Sequence, residues 1–171
     1  MKLAIDVHFD SGAAWAAAVA FDDWDAPEPS RTFISRITHV EKALRGELDL
    51  RALPCMLQLL REHGLTPALI ELIIINGSVH LDAQETPGLG RHLYHALGGL
   101  CPIIGASKTA PPGTPEQFEV QREEETPPLI VSCVGIDLGA AKARLRAMHG
   151  RKRVPTLLKL VTRLAKEPSK T

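Results

Sequence analysis

The stretch "LIELIIINGSVHLD", residues 69–82, decides how the rest of the chain is read. Its run Leu72-Ile73-Ile74-Ile75 has the pattern of a strand buried on both faces, and Asn76-Gly77 is turn chemistry that ends it. Such strands belong to α/β sheets, in which functional groups gather beyond the carboxyl ends of the strands. A charged residue is the expected occupant of that end, yet here a neutral amide stands in its place. An amide oxygen can ligate a hard cation, but it brings no charge and is no base at neutral pH. Asn-Gly is equally ordinary as a turn.

Working outward, residues 2–9 alternate as a strand, and the turn sequence Asp10-Ser11-Gly12 leads to a second apolar stretch at 13–21. That stretch is rich in alanine and would also suit the start of a helix; the short connection and the Val19-Ala20-Phe21 ending favour a hairpin. Residues 32–40 read as a third strand. Leu53, Met56, Leu57 and Leu60 recur at helical spacing within 48–63, and Gly64 supplies the stop. Further along, helices are predicted over 88–97, 139–149 and 155–166, and strands over 102–106 and 129–134. The fold class that follows is α/β: a mixed sheet whose first three strands are antiparallel and whose later strands are parallel, flanked by helices. Residues 110–128 hold five prolines and five acids. They read as a long exposed loop with at most a short edge strand at 118–120.

At 171 residues the chain is expected to form a single domain able to bury roughly two-thirds of its unfolded surface. Twenty basic and twenty acidic residues cancel, so attraction to a polyanion must come from local patches. Cys55, Cys101 and Cys133 are odd in number and widely spaced, which argues against a disulfide framework or structural zinc. No apolar run is long enough to span a bilayer, so a soluble cytoplasmic protein is expected. Nothing in the pattern fixes the oligomeric state.

Asp6 is the central candidate for chemistry, because a carboxylate inside an apolar strand costs several kilocalories unless something pairs with it. Magnesium would do so, and so would a neighbouring loop or an arginine. Asp82 and His80 follow Asn76 closely enough to return to the same edge, although a solvated loop is the better explanation of Asp82. His92 and His95 offer only two nitrogens at helical spacing. Lys108 closes a strand where an ammonium can meet a phosphate. Arg151-Lys152-Arg153 suits phosphate contact or a solvated helix entry. No Walker loop, GxGxxG, GxSxG or HExxH occurs.

The succession AIDVHF, AAAVAFDDW, LPCMLQLLREHG, LIIINGSVHLD, PGLGRHLYHALGG, PIIGASKT, PPLIVS and KRVPTLLKLVTRLAK resembles the endonuclease V family, in the same order over nearly the whole chain. The resemblance implies an RNase H-like fold, magnesium at the sheet edge, and cleavage 3′ of deoxyinosine or inosine in DNA or RNA. By it Asp6 matches the family's first aspartate and Lys108 its lysine. Asn76 falls on a second aspartate, Ala52 on the glutamate and Ala43 on the tyrosine that wedges into the strand, with Glu47 the nearest substitute acid. Asp6, Asn76, Asp82 and Asp137 are then the candidate metal ligands, with Asp82 and Asp137 compensating for lost charge. Asp6, Asn76 and Lys108 are the candidate catalytic positions, and Gly46, Gly77, Lys108, Arg151, Lys152 and Arg153 the nucleic-acid contacts. Glu123, Glu124 and Glu125 are expected to repel a phosphate backbone.

The implied function is an endonuclease V-like, magnesium-dependent phosphodiesterase of the DNA-repair class with catalysis weakened or lost. The alternative is a non-catalytic homologue that binds nucleic acid or a protein partner. A third reading is a protein-binding module working through residues 110–128, which a basic groove beside Lys108 would disfavour. The leading reading requires residues 6, 52 and 76 to meet at one rim of the sheet.

Overall fold

The computed structural model describes residues 1–42 and 48–168. The doubly buried strand predicted at 72–75, β4 (Leu72–Asn76), is the middle member of a seven-stranded sheet. On one side lie β1 (Lys2–Asp10), β2 (Ala13–Phe21) and β3 (Arg31–Ile37); on the other lie β5 (Ile103–Ser107), β7 (Leu129–Val134) and the edge strand β6 (Glu119–Val120). The first three strands are antiparallel, and β4 runs parallel to both β1 and β5.

The last long strand departs from expectation: β7 is antiparallel to β5, with Ser107 opposite Ile130 and Ile103 opposite Val134. A parallel return needs a crossover, usually a helix, to carry the chain back to the other end of the sheet. Residues 110–128 hold only a turn of 3-10 helix at Glu116–Phe118 and the two residues of β6, so the chain re-enters from the end at which it left.

Alternation along the strands assigns the two faces. Leu3, Ile5, Ile73, Ile75 and Ile103 point to one cluster, covered by α1 (Ala52–Glu62) and α2 (Leu89–Ala96). Ala4, Ile74 and Ile104 point to the other, covered by α3 (Leu138–Ala147) and α4 (Thr156–Lys166). The alanines of β2 divide the same way, Ala14, Ala16, Ala18 and Ala20 toward the first and Ala17 toward the second. Alanine has little strand propensity of its own, so burial of both faces decides this segment.

Helix α1 starts at Ala52, four residues later than the apolar pattern suggests. Pro54 has no N–H to bond the carbonyl of residue 50, and its ring would clash with it, so no helix can reach further back. At the other end Gly64 takes a left-handed φ of 65°, and Leu65 N–H reaches Leu60 O at 2.8 Å, closing the helix as its sequence predicts. Cys55 and Cys101 are buried and Cys133 half-buried, all as free thiols, and burial pushes Cys101 up to about 11. Among the described residues no helix is long and apolar enough to cross a membrane.

The carboxyl ends of β1, β4 and β5 therefore emerge together. One glycine shapes that end, since a Cβ on Gly105 would fall 2.5 Å from Gly77 O and 3.0 Å from Ser132 Oγ. Gly105→Ala is expected to lower stability by about 1–3 kcal/mol. A urea midpoint that drops at constant m-value is the check.

Candidate functional site

Asp6 points to the α4 side of the sheet, as its alternation with Ala4 requires, and is 8% exposed. Its Oδ1 accepts Val7 N–H at 2.8 Å. Its Oδ2 accepts the Thr162 hydroxyl at 2.7 Å and, more weakly, the Asn76 amide at 3.4 Å. The parallel pairing of Ile5 with Ile75 sets Asp6 and Asn76 side by side. Three neutral donors thus hold a buried carboxylate, and no ion pair to it forms among the described residues. Here lies the reason for the neutral amide: an aspartate at 76 would set two carboxylates together and demand a cation, whereas an asparagine donates.

Around this pair opens a cleft of about 360 Å³, walled by the ends of β1, β4 and β5 and by α4. His8, Lys108, Lys159, Thr162 and Lys166 line it with Asp6 and Asn76. The three lysines are exposed, and none pairs with an acid among the described residues. Asp6 was legible as a carboxylate within an apolar strand, and Asn76 and Lys108 as strand ends. His8 and the α4 residues were missed, although Lys159, Thr162 and Lys166 stand at i, i+3 and i+7 and so share one helix face.

No family model matches the chain, and no curated protein does. Solved structures do. Endonuclease V from Streptomyces avermitilis superposes with a TM-score of 0.76 at 24% identity, covering 99% of this chain and 81% of that one. Ciona intestinalis endonuclease V, solved with a 24mer DNA containing an inosine followed by a ribo-adenosine, gives 0.75 at 14%, covering 99% and 86%. Human endonuclease V gives 0.73 at 20%, covering 99% and 84%. The fold is that of endonuclease V. At these identities the likeness is one of fold, and what the site can do rests on its own side chains.

Those side chains do not form the magnesium cradle that the endonuclease V resemblance implies. Among the described residues there is no group of three His, Cys, Asp or Glu side chains able to hold a metal. Asp82 does not return to Asp6; its carboxylate takes Gln84 N–H (3.0 Å), Thr86 N–H (3.1 Å) and the Thr86 hydroxyl (2.6 Å), and that hydroxyl chiefly holds it below the usual carboxylate range. Asp137 caps α3 by accepting Ala140 N–H at 3.1 Å. Because β7 runs antiparallel, Asp137 follows it at the opposite end of the sheet from Lys108. Ala52 begins α1 and packs against the cluster on the other face, outside the cleft lining. Only two of the three positions expected at one rim meet there. Ala43, Gly46 and Glu47 lie outside the described residues.

The basic run is divided in its roles. Arg151 is exposed, whereas Lys152 lies 3.6 Å from Glu123. Arg153 donates through Nη2 to Lys108 O (2.6 Å) and Pro128 O (3.1 Å), and its backbone N–H meets Glu123 Oε2 at 3.1 Å. Arg122 donates to the carbonyls of Met148, Gly150 and Lys152. Glu123 is therefore an anchor between two loops, which its sequence neighbourhood did not reveal. Gly77 takes φ 149° and donates its N–H to Ala106 O at 3.2 Å, a backbone role.

A second cavity of about 220 Å³ lies beyond β4 and is lined by Ser78, His80, Asp82 and Ser132 among others. His80 Nε2 lies 3.1 Å from Arg91 Nη1, and Arg91 Nε also donates to His95 Nε2 at 3.0 Å, so of the pair His92 and His95 it is His95, together with His80, that engages an arginine. Burial pushes the His80 imidazole below its ordinary value; Glu85 and Asp82 oppose the shift, and Arg91 adds to it.

A depressed histidine contributes stability above its unfolded pKa of about 6.5 and loses it as pH falls through the folded value. Cooling of the thermal midpoint between about pH 7 and pH 5 should accordingly be smaller in His80→Gln than in the parent; parallel pH profiles would contradict this. For Asn76→Asp the expected cost is about 2 kcal/mol in the absence of divalent cations, from a lost donor and a like charge. Magnesium should recover part of it, and denaturation with and without the ion reads both effects.

Proposed function

We propose that this protein, acting as one domain over residues 1–171, is a non-catalytic nucleic-acid-binding counterpart of endonuclease V that seats strand phosphates in the Asp6 cleft. One observation carries the reading. Among the described residues, three exposed lysines converge on a cleft whose one lining carboxylate is already satisfied by neutral donors. Lysine is a compact point charge suited to phosphate, and each phosphate it neutralises releases counterions, so binding should weaken steeply with salt. Hydrolysis of a phosphodiester by the family's route needs a metal to activate water and stabilise the leaving oxygen. A divalent ion brought beside Asp6 would meet one carboxylate, an amide whose NH₂ side is turned inward, and three ammonium groups. The side chains favour a polyanion over a cation.

The basic rim beside Lys108 also speaks against a module that binds protein through residues 110–128. Inosine-containing DNA, as held by the Ciona enzyme, is the first ligand to try. Its RNA equivalent and inosine-free strands complete the set.

The decisive experiment pairs fluorescence anisotropy with a cleavage gel on those labelled strands. Binding without magnesium is expected, with a log–log salt slope that falls by about 0.7 when Lys108 or Lys166 is replaced by alanine. No magnesium-dependent cutting above that of Asp6→Ala is expected. Specific cutting that Asp6→Ala abolishes would establish the enzyme reading in its place.

A further inference from the structure

The cleft does not close at α4. A groove of about 550 Å³ lies along the adjacent flank of that helix, against the loop at 27–29, and shares Val154 and Lys159 with the cleft. Its walls carry Lys152, Lys159 and Arg163 against one acid, Glu28. Helical geometry explains the join. From Lys159 the residues at i+3 and i+7, Thr162 and Lys166, turn into the cleft, whereas the residue at i+4, Arg163, turns into the groove. Lys159 thus stands on the divide between them.

We infer that cleft and groove form one continuous phosphate track, by which a single nucleic-acid strand held at Lys108 passes over Lys159 and continues past Arg163 toward the loop at 27–29. The inference rests on the reading of the cleft as a phosphate site and adds where the strand goes and how much of it is held. Lys159 and Lys166 are seven residues apart on α4, about 10 Å along the helix axis, which lets them reach more than one phosphate of a strand. The groove lengthens that footprint. Lys152 takes a smaller part, because Glu123 lies 3.6 Å from its ammonium. Pro27 and Pro29 stiffen the far wall and bring no side-chain donors to read base edges there.

Length dependence tests this with the full chain and labelled single-stranded DNA of about 4 and about 12 nucleotides, which spans common single-strand site sizes. The longer strand should bind more tightly and with a steeper salt slope. Arg163→Ala should lower that slope by about 0.7 and leave the short strand unaffected, Glu28→Gln should strengthen only the longer strand, and Lys108→Ala should weaken both. If the short strand binds, and the longer one gains nothing from its length or is indifferent to Arg163→Ala and Glu28→Gln, the track is wrong and the cleft reading stands. If neither strand binds at low salt, the cleft reading fails and the track falls with it.

Discussion

A carboxylate buried in the first strand must be satisfied, and this requirement organises the functional end of the molecule. Removing an aspartate from water costs several kilocalories unless hydrogen bonds or opposite charge offset it. Here Val7, Asn76 and Thr162 supply the hydrogen bonds, so strand, neighbouring strand and final helix are tied together at one point. None of the three donors is charged, so Asp6 is satisfied without an ion pair among the described residues. The lysines around it remain available to an anion.

That arrangement also orders the competing functions. A phosphodiesterase cradle would concentrate carboxylates and neutralise them with metal. This protein does the reverse, concentrating ammonium groups around one satisfied acid. The endonuclease V fold supplies the converging strand ends and the flanking helix. Asn76 and the lysines on that frame present neutral and cationic groups beside Asp6.

The loops behind the cleft serve the same end. Arg153 grips the carbonyl of Lys108, and Glu123 holds the backbone of Arg153, so the segment entering α4 is fastened to the segment leaving β5. Lys108 and the α4 lysines therefore line one cleft from elements joined near their roots, which holds the basic rim in shape before any ligand arrives. Residues that look like free surface charge act partly as struts.

Local pattern carried a good deal. The double-faced run at 72–75, the turn at 10–12, the stop at Gly64, the carboxylate of Asp6 within its strand and the strand ends at Asn76 and Lys108 depend on alternation, turn chemistry and periodicity, all of which act over a few residues. Other features depend on which distant segments meet. Strand direction is set by the connection, so Asp137 went to the far end once β7 proved antiparallel. Thr162 bonds a carboxylate 156 positions earlier in the chain, and Glu123 bonds residue 153. Local pattern thus sufficed for most of the elements, the burial of both sheet faces and the neutral amide at position 76. Only the tertiary structure decided that a helix hydroxyl and a strand amide would satisfy Asp6 and that lysines would surround it, because long-range pairing leaves no periodic trace in either partner.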